Sequence, residues 1–407
     1  MNEPDPQAAR MHVDPPRYGL DAAATIFRYP PGVRRVADEL TRRLAASTRV
    51  VGIPLVPAVD DSERTWRHRE LPRLAKRLGL AGIVSFTSAF PLLGPGRRVQ
   101  VIHELPWRHG VKENAGRGHR LWARQGWRRA SAIVVPSERV LADLADETPR
   151  AARIARVIPW GLSAEFGPGA LLGSSEEGER LGLDEGERRE LGDRELRERL
   201  GLDGGGRIDP EESERLRQLK HDQNERLQRL GIGEREFLLA AGATRPKKRL
   251  DACLVALAQL GARAPMLIVT GEITEALAGD LRLARTLGLE GKLVFLGRVK
   301  EADMALLTRR ARAALSLADS EGFGFGTLEA LGSGVPVLVT RGSAQAELAG
   351  EHGIVVDPED PDGVASALRG VLGPRNDVEA ARRIEHARGY PWAETVRRLE
   401  DLLVSLS

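Results

Sequence analysis

The chain has 407 residues, 42% of them hydrophobic, and 61 Lys and Arg stand against 58 Asp and Glu for a formal net charge of +3. That length exceeds one ordinary core and implies two or three units, while the near balance of charge excludes wholesale nucleic-acid binding. One cysteine, Cys253, excludes an internal disulfide and reads as a buried thiol on a helix face, and no run of 18 apolar residues is present to cross a bilayer.

Residues 1–17 are rich in Pro, Asp and Arg and lack the apolar stretch of a signal peptide, so they read as a disordered leader on a cytoplasmic protein. From Tyr18 the pattern becomes strand, loop, helix. An extended run at Tyr18–Asp21 leads through Tyr29-Pro-Pro-Gly32 into Val33–Leu44, whose apolar residues Val33, Val36, Ala37, Leu40 and Leu44 share one helical face. Strand-like segments follow at Val50–Pro54, Gly82–Phe86, Val99–His103, Ile133–Pro136 and Val157–Pro159. Helical stretches lie between several of these segments, and that alternation predicts a parallel sheet covered by helices over residues 18–166.

Residues 167–229 differ in kind, being mostly Glu, Arg, Asp, Gly and Leu, with Glu179-Arg-Leu-Gly-Leu-Asp184 repeated as Glu198-Arg-Leu-Gly-Leu-Asp203. Mixed charge with scattered leucines predicts a solvated insertion or linker. A second α/β unit covers residues 230–385, with strands expected at Phe237–Ala241, Met266–Thr270, Lys292–Leu296, Ala313–Leu317, Val335–Val339 and Gly353–Val356. Six strands alternating with helices predict a Rossmann-like domain, whose ligands gather beyond the carboxyl ends of the strands.

The chemistry concentrates in Ser320-Glu-Gly-Phe-Gly-Phe-Gly-Thr-Leu-Glu329, which follows an expected strand and opens an expected helix at Thr327–Leu331. Glycines at 322, 324 and 326 let a ligand approach the backbone, and the free amides of a helix start attract phosphate. Glu321 and Glu329 flank the loop, and an ionised carboxylate accepts hydrogen bonds only, which suits sugar hydroxyls. Loop amides for phosphate and carboxylates for hydroxyls together describe a nucleotide sugar. Taken alone, a glycine-rich loop and a glutamate in a first helical turn also fit a purely structural reading.

The seven residues between Glu321 and Glu329 resemble the paired-glutamate signature of glycosyltransferase family 4, the glycosyl transferases group 1. Glu321-Gly-Phe-Gly resembles the opening of that motif, and Gly334-Val-Pro-Val, Ala346-Glu-Leu, Val355-Val-Asp-Pro and Val294-Phe-Leu-Gly-Arg-Val299 follow the family's order. In the first half Tyr18-Gly-Leu-Asp, Gly32-Val-Arg-Arg-Val, Val101-Ile-His-Glu-Leu, Ile133-Val-Val-Pro-Ser-Glu and Val157-Ile-Pro-Trp-Gly-Leu resemble family landmarks. Pro391-Trp-Ala-Glu-Thr resembles the segment before a closing helix.

The resemblance implies the GT-B fold, two Rossmann-like α/β domains facing each other across a cleft, with residues 386–407 returning as a helix to the amino-terminal domain. It implies a retaining, metal-independent hexosyltransferase that needs no cofactor beyond its GDP- or UDP-sugar donor and acts on a glycan or lipid-linked acceptor. By resemblance Glu329 holds the donor ribose, Glu321 a hydroxyl of the transferred sugar, and the amides of Gly322, Phe323, Gly324, Phe325, Gly326 and Thr327 the sugar and diphosphate. Lys248 matches the family's lysine at the diphosphate, His103 a histidine facing the donor sugar, and Gly32 and Val299 two further donor contacts.

Three departures stand out. Ala243 replaces the family's usual arginine, and Arg245, two residues on, is the nearest substitute; losing one of two cations would cost several kcal/mol of transition-state stabilisation. Gly326 stands where the family favours Pro, and Pro31 precedes Gly32 where a second Gly is common. A non-catalytic homologue acting as a binding or scaffolding protein is therefore the second reading. Between Gly96 and Arg129 nine Arg and Lys face only Glu104 and Glu113, with Trp107, Trp122 and Trp127 interspersed. This is either a surface for peripheral membrane contact or a set of solvated arginines over inward-packed tryptophans.

Overall fold

The structure, a computed structural model, describes residues 14–87, 90–111, 116–167, 210–242 and 244–407. The first sheet holds β1 (Arg17–Asp21), β2 (Val51–Leu55), β3 (Gly82–Ser85), β4 (Arg97–Val101), β5 (Ala132–Val135) and β6 (Ala155–Val157), in the order β2-β1-β3-β4-β5-β6. The second holds β7 (Phe237–Ala241), β8 (Met266–Thr270), β9 (Leu293–Gly297), β10 (Ala313–Ser316), β11 (Val337–Thr340) and β12 (Ile354–Val356), in the order β12-β11-β10-β7-β8-β9. Every pairing is parallel.

Parallel sheets covered on both faces need strands that are apolar throughout, and β3, β5 and β8 are buried at every residue. In the second sheet the chain runs outward from β7 to β9, then returns to β10 on the other side of β7. The loops leaving β7 and β10 therefore part in opposite directions and open a crevice between them, the position where doubly wound sheets bind ligands. Both sequence segments singled out for phosphate and sugar recognition leave the sheet there.

The first sheet is covered by the helix Pro31–Ala45, which buries Val36, Ala37, Leu40 and Leu44 and carries its proline in the first turn, where no amide hydrogen is needed. The closing helix Trp392–Ser405 crosses back to this domain. There the Tyr18 hydroxyl donates to Leu403 O at 3.0 Å, Ser47 donates to Glu400 at 2.5 Å, and Arg49 meets Asp401 at 2.6 Å. The chain passes between domains at residues 158–167 and again at 389–392. These crossings touch: Leu162 N donates to Tyr390 O at 2.8 Å, and a β-carbon on Gly161 would lie 2.4 Å from Trp392.

Two segments differ from the sequence reading. Arg17, assigned to the leader, already belongs to β1, because it pairs with Val51; residues 1–13 lie outside the described residues. Within the expected insertion, residues 168–209 also lie outside them, but Pro210–Arg229 is a helix that docks on the second domain. It buries Asp222, Gln223 and Leu227, and Arg226 donates to Asp303 at 3.0 Å. Buried residues and side-chain hydrogen bonds together anchor a segment that composition reads as solvated. Among the described residues no helix is long and apolar enough to cross a membrane. Cys253 is buried on the helix Leu250–Ala258, where desolvation pushes its thiol up to about 12.

Candidate functional site

A cleft of about 540 Å³ lies between the domains, over the carboxyl ends of β7 and β10. Gly32, His103, Arg245, Lys248, Val299, Glu321, Gly322, Phe323, Gly324, Phe325, Gly326 and Glu329 all line it. Thr327 does not. Its side chain is fully buried and its amide donates to Gly324 O at 3.0 Å, so the amide expected at a phosphate is already used within the turn.

The helix after the loop runs from Phe325 to Gly332, two residues earlier than the sequence suggests. Gly324 explains the early start: its φ of 98° turns the chain directly into the helix, a conformation a side chain would strain. The first-turn amides of Phe325 and Gly326 then have no intrahelical acceptor and stand at the cleft. A β-carbon on Gly326 would meet only Ala241, at 3.8 Å, an ordinary contact. At Gly32 a β-carbon would lie 3.4 Å from the Phe325 ring, an ordinary contact, so the domains meet here without excluding a side chain.

The cations come from one short turn. Lys248 donates to Glu321 within its own domain, whereas Lys247 reaches over the cleft to both oxygens of Glu104 at 2.9 Å. The turn ends at Arg249, whose φ of 53° is the one left-handed non-glycine backbone among the described residues. Its guanidinium is tied to Asp251, Asp319 and Glu359 at 3.2, 3.2 and 2.6 Å. Burial alone would raise the Glu321 carboxyl, but Lys248, Lys247 and Arg245 hold it below the ordinary carboxylate value. Glu321 is thus an anion in a nest of cations, the environment a departing diphosphate would share. Ala243 lies outside the described residues.

His103 stands two residues beyond the end of β4, and its Nε2 lies 2.7 Å from Phe86 O. A carbonyl only accepts, so Nε2 carries the hydrogen. Burial lowers the ring's pKa, which leaves Nδ1 unprotonated at neutral pH and able to accept a hydroxyl hydrogen. The same segment locks the domains together: a β-carbon on Gly322 would fall 1.5 Å from His103 O, and Ser137 donates to Gly322 O at 2.8 Å. Glu347 adds a further tie, accepting the amides of Glu138 and Arg139 at 2.8 Å each at the start of the helix Glu138–Glu147.

Several participants carry no local sequence signal. Arg35 of the helix Pro31–Ala45 contacts Glu329 at 2.5 Å and Glu301 at 3.3 Å in the other domain. Arg28 crosses to Glu272 at 2.5 Å, which Arg298 also meets at 3.2 Å. Arg34 and Arg35 stand side by side in the Gly32 segment, and only the three-dimensional arrangement distinguishes them. On the basic surface Trp127 is buried, Trp107 stacks on it at 6.4 Å and donates to Glu147 at 2.9 Å, and Trp122 lies edge-on to His68 at 4.8 Å. The tryptophans pack inward, while Arg120, Arg124, Arg128 and Arg129 stay exposed.

Residues 235–373 match the sequence model of the family described as Glycosyl transferases group 1. The chain is 32% identical over 179 residues to D-inositol 3-phosphate glycosyltransferase 2 of Catenulispora acidiphila, covering 40% of this chain and 42% of the relative. It is 31% identical over 105 residues to O-antigen chain mannosyltransferase B of Escherichia coli, covering 25% and 28%. The matches thus span well under half the length of these curated relatives. Among solved structures, Anabaena Alr3699/HepE in complex with UDP and glucose superposes with a TM-score of 0.67 at 14% identity, covering 96% of this chain and 99% of that one. WaaG, a glycosyltransferase involved in lipopolysaccharide biosynthesis, gives 0.59 at 17% identity, covering 95% and 98%. Two six-stranded parallel sheets facing across a cleft are the GT-B fold, and within it residues 235–373 are similar to the glycosyl transferases group 1.

Proposed function

We propose that the chain is a retaining glycosyltransferase of family 4 that moves a hexose, of mannose or glucose type, from a GDP- or UDP-sugar to a glycan or lipid-linked acceptor. The observation that carries this reading is the joint placement of Glu321, Glu329, the amides of Phe325 and Gly326, and Lys248 around one interdomain cleft. Glu329 accepts the donor ribose hydroxyls and Glu321 a hydroxyl of the sugar, while Lys248 and Arg245 neutralise the diphosphate as the glycosidic bond breaks. Arg245 stands for the arginine that Ala243 replaces, and its place in the cleft favours the active enzyme over a scaffold.

The two glutamates lie in one loop and one helix of the same domain, so they do not oppose each other as an acid and a base would. The reaction proceeds on the front face: the departing phosphate takes the acceptor's proton, and neutral His103 receives a donor-sugar hydroxyl on Nδ1. No metal or cofactor is required in this scheme, because side-chain cations and loop amides carry the developing charge. The enzyme works in the cytoplasm, with the exposed arginines of residues 120–129 facing anionic lipid when the acceptor is lipid-linked.

A thermal-shift screen of nucleotide sugars, followed by donor hydrolysis, tests this. One nucleotide class should raise the melting temperature of the wild type, and Glu329→Ala should abolish the shift. Equal stabilisation of the variant would remove Glu329 from the site.

A further inference from the structure

One buried contact across the cleft has no part in that scheme. Arg35 leaves the amino-terminal domain, lies with its guanidinium carbon 5.1 Å over the Phe325 ring, and meets Glu329 Oε1 at 2.5 Å and Glu301 Oε1 at 3.3 Å. Glu329 is only 6% exposed, and a carboxylate so buried is costly unless a cation accompanies it. Its cation comes from the opposite domain, so Glu329 is paired in this way only when the domains are together. Arg35 occupies Oε1 alone. Among the described residues Oε2 has no hydrogen-bonding partner, and a carboxylate has about four acceptor positions. Ligand hydroxyls therefore do not have to displace the arginine.

We propose that Arg35 is a positioning residue for ribose recognition: from the opposite domain it fixes the Glu329 carboxylate so that its remaining acceptor positions receive a vicinal diol. This rests on the donor reading above and adds a specificity to it. Diol recognition is coupled to closure of the domains, and the ligand class is ribonucleotide, not deoxyribonucleotide. A 2′-deoxy analogue leaves a buried acceptor unpaired and loses the closed arrangement's advantage. The second arm, to Glu301, helps hold the guanidinium beside Glu329.

The test is titration calorimetry of UDP, GDP and their 2′-deoxy counterparts, with small-angle scattering of the same samples. The wild type should prefer the ribonucleotide by about tenfold or more and become more compact on binding it. Arg35→Ala should reduce that preference to about threefold or less and abolish the compaction. Arg35→Lys keeps the charge without the two-pronged reach and should fall between. A wild-type ribose preference and compaction in either variant overturns the assignment, even if affinity for both nucleotides drops. Failure of the wild type to bind any of the four nucleotides would instead sink the donor reading itself.

Discussion

Gly322 and His103 meet backbone to backbone between the two domains, with no room for a single added carbon: a β-carbon on Gly322 would sit 1.5 Å from the His103 carbonyl oxygen. Gly322 is not among the left-handed glycines, so the restriction is the neighbouring domain and not its own φ. The loop that carries Glu321 is thus held against the residue expected to face the sugar.

Gly322→Ala should therefore separate closure from folding. Each domain keeps its secondary structure by circular dichroism, whereas nucleotide affinity falls at least about tenfold, or ~1.4 kcal/mol. An alanine variant that binds as tightly as the wild type would mean that the ligand-bound state does not use this contact.

Lys248 and Glu321 give a dependence on pH whose sign is fixed. The folded pKa of Glu321 is depressed below its ordinary 4.5, so its ion pair stabilises the protein above the unfolded value and is lost as pH falls through the folded one. Lys248→Met should lower stability by about 1 kcal/mol at neutral pH, a modest figure for a pair with both side chains partly exposed. The difference in melting temperature between wild type and variant should shrink as pH drops below 4.5 toward 3. A gap that stays constant with pH would remove the ion pair as its cause.

These expectations rest on parts of the molecule that the sequence exposes unequally. The strands of both sheets stand out because buried parallel strands are short unbroken apolar runs between turn residues, as in Met266–Thr270. The Glu321 and Glu329 pair was visible through spacing along one loop and helix. Arg35, Glu272 and Glu301 were not, since they act through partners 244 to 294 residues away in sequence. The helix Pro210–Arg229 was hidden for a related reason: Arg226 and Asn224 meet Asp303 and Arg310, partners 77 and 86 residues on, from within a strongly charged sequence.

His103 supplies an independent measurement. Its folded pKa lies below the ordinary 6.5, so below that pH the unfolded chain takes up a proton that the native ring refuses. Stability of the wild type should fall as pH is lowered from 6.5 through about 5 by more than that of His103→Gln, which keeps a donor for Phe86 O. Parallel melting curves for the two proteins over that range would show that the ring is not held neutral.

The paired crossings at Leu162 and Pro391 confine how the halves can separate. Two chain segments bonded side by side form one spine, as in a book, and Gly161 against Trp392 marks the pivot with no slack for sliding. Swinging about that line displaces the margin of the cleft farthest from it most, and the region beside the spine least. A substrate would enter from that outer margin, and spectroscopic labels placed there would register the greatest travel.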